Sequence, residues 1–243
     1  MPTAEESQTN ITELRTAMLQ NPTEFGLTIV ELHDNGAKML LTKARNEDTC
    51  SYLFCKLIGI LTTLLCSTIC RLLPTRTPTI TTGNKCKYVG LSLSVRIDFV
   101  SIIRGSMAMQ DTFREFFYAL TGFMPRLHVD VMQRNIENPT TQTASLDKCD
   151  SPQSWDDVII IGDPMLATGG SVLSNIERLI EKGWLEDHIK VMAIIAAPEG
   201  IKKIHDKYPE VEIFCIALDE GLNDHMYIVP GLGDAGARAF GVA

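Results

Sequence analysis

The stretch Asp157–Gly183, DVIIIGDPMLATGGSVLSNIERLIEKG, constrains the fold more than any other part of the chain. It reads as a strand, a turn and a helix in direct succession. The run Val158–Ile161 is too short for a core helix and has the Ile and Val content of a strand buried on both faces. SVLSNIERLIEK, from Ser171 to Lys182, spaces its apolar residues as a helix does and is closed by Gly183. A strand that feeds a helix directly is half of a crossover to a parallel neighbour, so the unit predicts an α/β fold with a largely parallel sheet flanked by helices. Further apolar runs at Ile97–Ile103, Leu127–Met132 and Val191–Ala196 supply the neighbours, and a second helix is read at Gly200–Tyr208, closed by Pro209.

The turn inside this unit carries the chemistry. Asp163 stands at the strand's carboxyl end, and Ala167-Thr168-Gly169-Gly170-Ser171 leads into the helix. Backbone N–H groups at a helix start, approached closely because glycine has no Cβ, form an anion site of phosphate size. Thr168 and Ser171 add hydroxyl donors. Ligands of open α/β sheets bind beyond the carboxyl ends of the strands, where this loop must lie. The same residues also fit plain turn chemistry with Ser171 as a helix N-cap. Neither the Gly-Lys-Ser/Thr ending of a Walker loop nor G-x-G-x-x-G is present, so ATP and dinucleotides lose support.

The rest of the chain bounds partners and place. Ile11–Leu73 reads as mainly helical. Within it Leu57–Cys70 is uncharged, but its fourteen residues fall short of the about 20 that a membrane span requires, which predicts a core or subunit-interface helix and no membrane partner. Pro74–Lys87 reads as a turn-rich connector or edge hairpin. Asp219–Ala243 is Gly-rich and reads as irregular, without a helix, and too long to be idle. A formal charge of −8 with no block of Lys and Arg argues against nucleic acid. Seven cysteines lack C-x-x-C spacing; Cys66 and Cys70 share a helix face, but no further ligand follows at zinc spacing. Buried thiols in a reducing compartment are expected, and no metal site of the protein's own. Met1–Asn10 is polar and acidic, without the pattern of a signal peptide, which predicts a cytoplasmic protein.

Asp163–Ser171, DPMLATGGS, resembles the phosphoribosyl pyrophosphate loop of type I phosphoribosyltransferases, in the form typical of their uracil-using branch. Ile102–Asp111 (IIRGSMAMQD) is similar to the family's pyrophosphate loop, Gln133–Glu137 (QRNIE) to the base of its flexible loop, and Ala196–Gly200 (AAPEG) to its next strand end. Leu222–Gly241 (LNDHMYIVPGLGDAGARAFG) resembles its uracil-binding hood. The likeness spans Val95–Gly241 in the family's order. It implies a type I phosphoribosyltransferase-like fold, with residues 1–10 as a flexible tail, 11–87 as a helical region and connector arm, and 88–243 as the core, its hood starting near residue 218. The implied activity is that of pyrimidine salvage, uracil and 5-phosphoribosyl 1-pyrophosphate giving UMP and pyrophosphate.

The resemblance also implies roles. Asp163, Arg104 and Arg134 form the catalytic set, the carboxylate beneath the ribose hydroxyls and the two forked guanidinium groups on pyrophosphate. Pro164, Met165, Leu166, Ala167, Thr168, Gly169, Gly170, Ser171 and Asp234 complete the phosphoribosyl pyrophosphate site. Tyr227, Ile228, Gly233, Asp234 and Ala235 hold uracil, largely through main-chain groups, which would reject cytosine with its exchanged donor and acceptor. Mg²⁺ is implied, bound mainly through substrate oxygens. A homodimer or homotetramer is implied, with GTP as a candidate effector.

Several positions depart from the family text. Gly105-Ser106 stands where Ala-Gly is usual, and a Cβ at 106 is expected to strain that peptide and weaken pyrophosphate binding. Ile136 replaces an acid, Asn138 a threonine and Ala237 an aspartate. These changes motivate an alternative, a catalytically weak relative that binds nucleotide or phosphoribosyl pyrophosphate as a sensor. A transferase for a purine or another pyrimidine is a third reading, disfavoured because Gly162 precedes Asp163 where purine enzymes commonly carry a second acid.

Overall fold

The computed structural model describes residues 4–131, 133–134, 142–143 and 150–242. The chain opens with helix α1 (Ala4–Gln20), strand β1 (Leu27–Ile29) and helices α2 (Asn35–Arg45) and α3 (Ser51–Ile69). Four short strands, β2 (Thr75–Arg76), β3 (Thr79–Thr81), β4 (Lys87–Val89) and β5 (Ser92–Leu93), pair antiparallel as β2 with β5 and β3 with β4. They form a projecting hairpin, as the Pro, Thr and Gly content predicts, and it extends past Lys87 to Leu93.

The core follows with β6 (Ile97–Ile103), α4 (Met107–Thr121), β7 (Arg126–Val131), and the small pair β8 (Gln133–Arg134) and β9 (Gln142–Thr143). Next come β10 (Val158–Gly162), β11 (Met165–Leu166), α5 (Gly170–Glu181), β12 (Ile189–Ala196), α6 (Pro198–His205) and β13 (Glu212–Leu218). The end carries β14 (Gly221–Leu222), β15 (Ile228–Val229) and α7 (Ala235–Phe240). The main sheet is parallel in every pairing, in the order β1-β13-β12-β10-β6-β7, with β11 continuing alongside β12.

Apolar residues alternate between two cores because successive strand side chains point to opposite faces. In β10, Val158 and Ile160 join the core under α3 and α4, while Ile159 and Ile161 join the one under α1, α5 and α6. Phe99 stacks on Phe113 at 4.2 Å between ring centroids, tying β6 to α4. Truncating such buried side chains typically costs about 2–5 kcal/mol.

Three sequence expectations change. The region read as mainly helical also contributes β1, which pairs with β13 through Leu27 and Ile213. Its three residues carry no periodicity of their own. The terminal segment, expected without a helix, contains α7: Asp234 Oδ1 accepts the Ala237 N–H at 2.9 Å and caps its start. Finally, α3 is a helix of 19 residues, long and apolar enough to cross a membrane by length and composition. Its extent beyond the uncharged run comes from Ser51–Lys56. Leu57, Ile58, Leu61, Leu65 and Ile69 are buried within the chain itself, a helical stripe laid on the sheet.

Candidate active site

In chain order the strands run outward from β6 to β7 and then return to its other side with β10, so the direction of the sheet switches between β6 and β10. A crevice opens beyond the carboxyl ends of strands at such a point. Arg104 follows β6 and Asp163 follows β10, so both stand at this switch.

The loop after β10 is held to its neighbour by backbone bonds. The Asp163 N–H donates to Met192 O at 3.1 Å, Pro164 O accepts from Ile194 and Ile195, and Ala197 N–H donates to Leu166 O at 2.9 Å. The chain then turns through Ala167–Gly169 into α5. Gly169 has φ +72°, and a Cβ there would come 2.8 Å from Gly200 O; a Cβ on Gly200 would come 2.4 Å from Ala167 O. Only glycine at both positions allows α6 to seat against the loop. Ser171 lies inside α5, whose N-cap is Gly169, so the alternative of a Ser171 cap is excluded. The first amides of α5 have no partner within the helix and carry the positive end of its dipole, the polarity an anion requires.

Asp163 is half-buried, and burial pushes its carboxyl up to about 6 against the opposing pull of the Met165 N–H, 3.2 Å from Oδ1. A carboxylate held there costs the fold stability unless donors meet it. Ligand hydroxyl groups are suitable donors.

A cavity of about 540 Å³ joins this loop to the terminal segment. Asp163, Met165, Leu166, Ala167, Thr168, Gly169, Gly170 and Ser171 line one end, and Tyr227, Ile228, Gly233 and Asp234 the other. Pro164 and Ala235 are outside the lining: Pro164 is buried, its carbonyl bonded to β12, and Ala235 is 1% exposed. Arg104 is solvent-exposed outside the lining, with its Cβ close to the position a Gly236 Cβ would occupy (3.7 Å). Arg134 is placed by its backbone alone, in β8 opposite Gln142; Asn135, Ile136, Glu137 and Asn138 lie outside the described residues.

The terminal segment owes its place to distant residues. Arg45, at the end of α2, grips both carboxylate oxygens of the buried Asp219 and donates to Gly231 O at 2.7 Å, while Gly231 N–H returns a bond to Asp219. Arg238 donates to Leu232 O and reaches back to Ala44 O and Asn46 O, with its guanidinium 4.3 Å from the Phe54 ring centroid. Closer to the cavity, Asn223 Oδ1 accepts the N–H groups of His225 and Tyr227, shaping the turn that presents Tyr227.

Ser106 does not behave as expected. Its φ is −76°, ordinary for any residue, so its Cβ imposes no backbone strain. The side chain is fully buried, its hydroxyl 2.7 Å from Ser101 Oγ and bonded to Ile102 O at 2.8 Å, which fastens the turn carrying Arg104. Ala237 occupies the first turn of α7, where its amide serves the Asp234 cap.

Residues 31–242 match the uracil phosphoribosyltransferase family. The chain belongs to that family. It is 37% identical over 201 residues to the uracil phosphoribosyltransferase of Mycoplasma genitalium, covering 83% of this chain and 93% of that one. The enzyme of that name from Finegoldia magna is 38% identical over 206 residues, 84% and 93% of the two chains. The uracil phosphoribosyltransferase 1 of Schizosaccharomyces pombe is 36% identical over 171 residues, 70% and 74%. Among solved structures, the AQ2163 protein from Aquifex aeolicus superposes with a TM-score of 0.74 at 29% identity, covering 89% of this chain and 99% of that one. Sequence reading missed Val172, Lys203, His225, Met226 and Leu232 in the cavity wall. Lys203 had one available signal, its place one helical turn after the Gly200 of AAPEG.

Proposed function

We propose that the chain is a uracil phosphoribosyltransferase, joining uracil to the phosphoribosyl group of 5-phosphoribosyl 1-pyrophosphate to give UMP and pyrophosphate. The observation that carries this reading is a single cavity with the phosphate loop at one end and the Tyr227–Asp234 hood at the other. The ribose C1–oxygen bond to pyrophosphate breaks, a bond from C1 to a uracil ring nitrogen forms, and that nitrogen's proton leaves. Positive charge builds on the ribose in between, so the protein must fix both ends and exclude water.

In this reading Ala167–Ser171 hold the 5-phosphate and Asp163 accepts the ribose hydroxyls. Arg104 and Arg134 hold pyrophosphate, and Pro164, Met165 and Leu166 carry the loop. Main-chain groups of Ile228, Gly233 and Ala235 recognise uracil beneath Tyr227, and a base with donor and acceptor exchanged leaves them unpaired.

Mg²⁺ fits this site. No group of three or more His, Cys, Asp or Glu able to hold a metal stands among the described residues, whereas Asp163 and Asp234 both face the cavity, and magnesium often binds through a carboxylate or two plus ligand oxygens and water. It would screen the charge of the leaving pyrophosphate. A homodimer or homotetramer, which would cover the exposed Ile80, Tyr88, Val89 and Leu91 of the hairpin, belongs to the same proposal, as do GTP as effector and a cytoplasmic location suited to the free thiols Cys50, Cys55, Cys66, Cys70, Cys86 and Cys215.

The test is UMP formation from uracil and 5-phosphoribosyl 1-pyrophosphate with Mg²⁺, with cytosine, hypoxanthine and guanine as competitors. Turnover with uracil above all other bases is expected. A folded protein without turnover overturns the assignment.

A further inference from the structure

The ligand proposed for the cavity is highly anionic, yet the described cavity wall contains one Lys or Arg side chain, Lys203 of α6, against the two carboxylates of Asp163 and Asp234. Two observations show that Lys203 is aimed and available. First, α6 is seated on the phosphate loop by the contact of Gly200 with Ala167 and Gly169. Residues three apart share a helix face, so the helix that presses Gly200 onto the loop also carries Lys203 along its flank. Second, Lys203 is exposed and has neither hydrogen bond nor ion pair among the described residues, whereas its neighbour Lys202 is paired with Asp206 at 2.5 Å.

We infer that Lys203 is a binding residue for the 5-phosphate end of the substrate, a mobile counter-charge supplementing the neutral amides and hydroxyls of Ala167–Ser171. The inference rests on the phosphate-loop reading above and adds a residue to it. An ammonium on a flexible stem gives charge without the fixed fork of arginine, so it suits a dianion already oriented by backbone donors. It acts on the part of the substrate that does not react and is equally present in substrate and product. Its contribution should therefore appear in the binding of every ligand bearing the ribose phosphate, and in KM rather than kcat.

The experiment is calorimetric binding of ribose 5-phosphate and UMP, with steady-state kinetics, for the wild type, Lys203→Ala, Lys203→Arg and Lys203→Glu at two ionic strengths. Lys203→Ala is expected to weaken both ligands and raise KM for 5-phosphoribosyl 1-pyrophosphate by roughly 5- to 10-fold, the size of one charge-assisted contact at a partly exposed site. Lys203→Glu should lose more, and Lys203→Arg should recover most of the loss. KM for uracil should stay within about 2-fold, and the salt dependence of ribose 5-phosphate binding should flatten in Lys203→Ala. Equal ribose 5-phosphate affinity in wild type and Lys203→Ala overturns the inference while leaving the functional reading intact if the wild type makes UMP. A folded wild type that neither makes UMP nor binds ribose 5-phosphate overturns both.

Discussion

The loop proposed for phosphate and the hood line one cavity, but they are held by opposite means. Asp163–Ser171 is continuous in sequence and fastened to the adjacent β12 and α6 by its own backbone. The hood between Asp219 and Phe240 depends on Arg45, which bonds to Asp219 across 174 residues of chain, and on Arg238, whose partner Ala44 is 194 residues away. The contrast teaches that the loop end, proposed for phosphate, is a local property of a strand–loop–helix unit, while the hood end, proposed for the base, depends on contacts with the N-terminal helices. The two ends should therefore respond separately to mutation.

The largest effect is expected at Asp163, where stability and function oppose each other. Asp163→Asn should lower kcat by about 100-fold or more, as loss of a preorganised polar group does. Its effect on stability should have the other sign. A carboxyl raised from 3.8 to about 6 favours folding while protonated, so its contribution is fully present below pH 4 and is lost as pH rises through 6. At pH 7.5 the asparagine variant should be the more stable by on the order of 3 kcal/mol, and near pH 4 the difference should vanish. Thermal melts across that range check it.

Gly200→Ala comes next, because its Cβ would come 2.4 Å from Ala167 O and the loop must shift. A displacement of about 1 Å at such a site can cost roughly 100-fold, here in kcat/KM for 5-phosphoribosyl 1-pyrophosphate. Arg45→Ala should act on the opposite end, leaving Asp219 buried without its guanidinium. Stability is expected to fall by about 3 kcal/mol, and KM for uracil to rise by roughly 10-fold with KM for 5-phosphoribosyl 1-pyrophosphate little changed, as for a lost ground-state contact. The smallest change is Ser106→Ala, which leaves Ser101 without its hydroxyl neighbour. Denaturant titration should show a loss of about 1–2 kcal/mol. If Ser106 instead strained the turn, alanine would behave like serine and glycine alone would raise activity.

The same division decided what could be read from the sequence. The loop was legible because glycine freedom, helix-start amides and the Ile-rich strand are neighbours in the chain. The sheet was legible at several strands that ran largely apolar between turn residues, as at Ile97–Ile103 and Val158–Ile161. β13 escaped although Ile213–Leu218 is a continuous apolar run, and β1 escaped because its pairing with β13 is written nowhere near it. The six residues of α7 were hidden by three glycines around them and by a cap, Asp234, that also resembles a ligand contact. At Ser106, substitution text suggested strain, but backbone angle and a buried hydroxyl partner are properties of the fold alone. Nothing in the sequence reports that Arg45 and Asp219 meet.

The most direct test compares UMP with ribose 5-phosphate by calorimetry on the wild type and Arg45→Ala. In the proposed reading UMP spans both ends of the cavity and ribose 5-phosphate only one. The wild type should bind UMP more tightly than ribose 5-phosphate, and Arg45→Ala should shrink that margin while leaving ribose 5-phosphate affinity unchanged. Equal affinities in the wild type, or an equal loss of both ligands in Arg45→Ala, would contradict a phosphate end built locally and a base end built by α2.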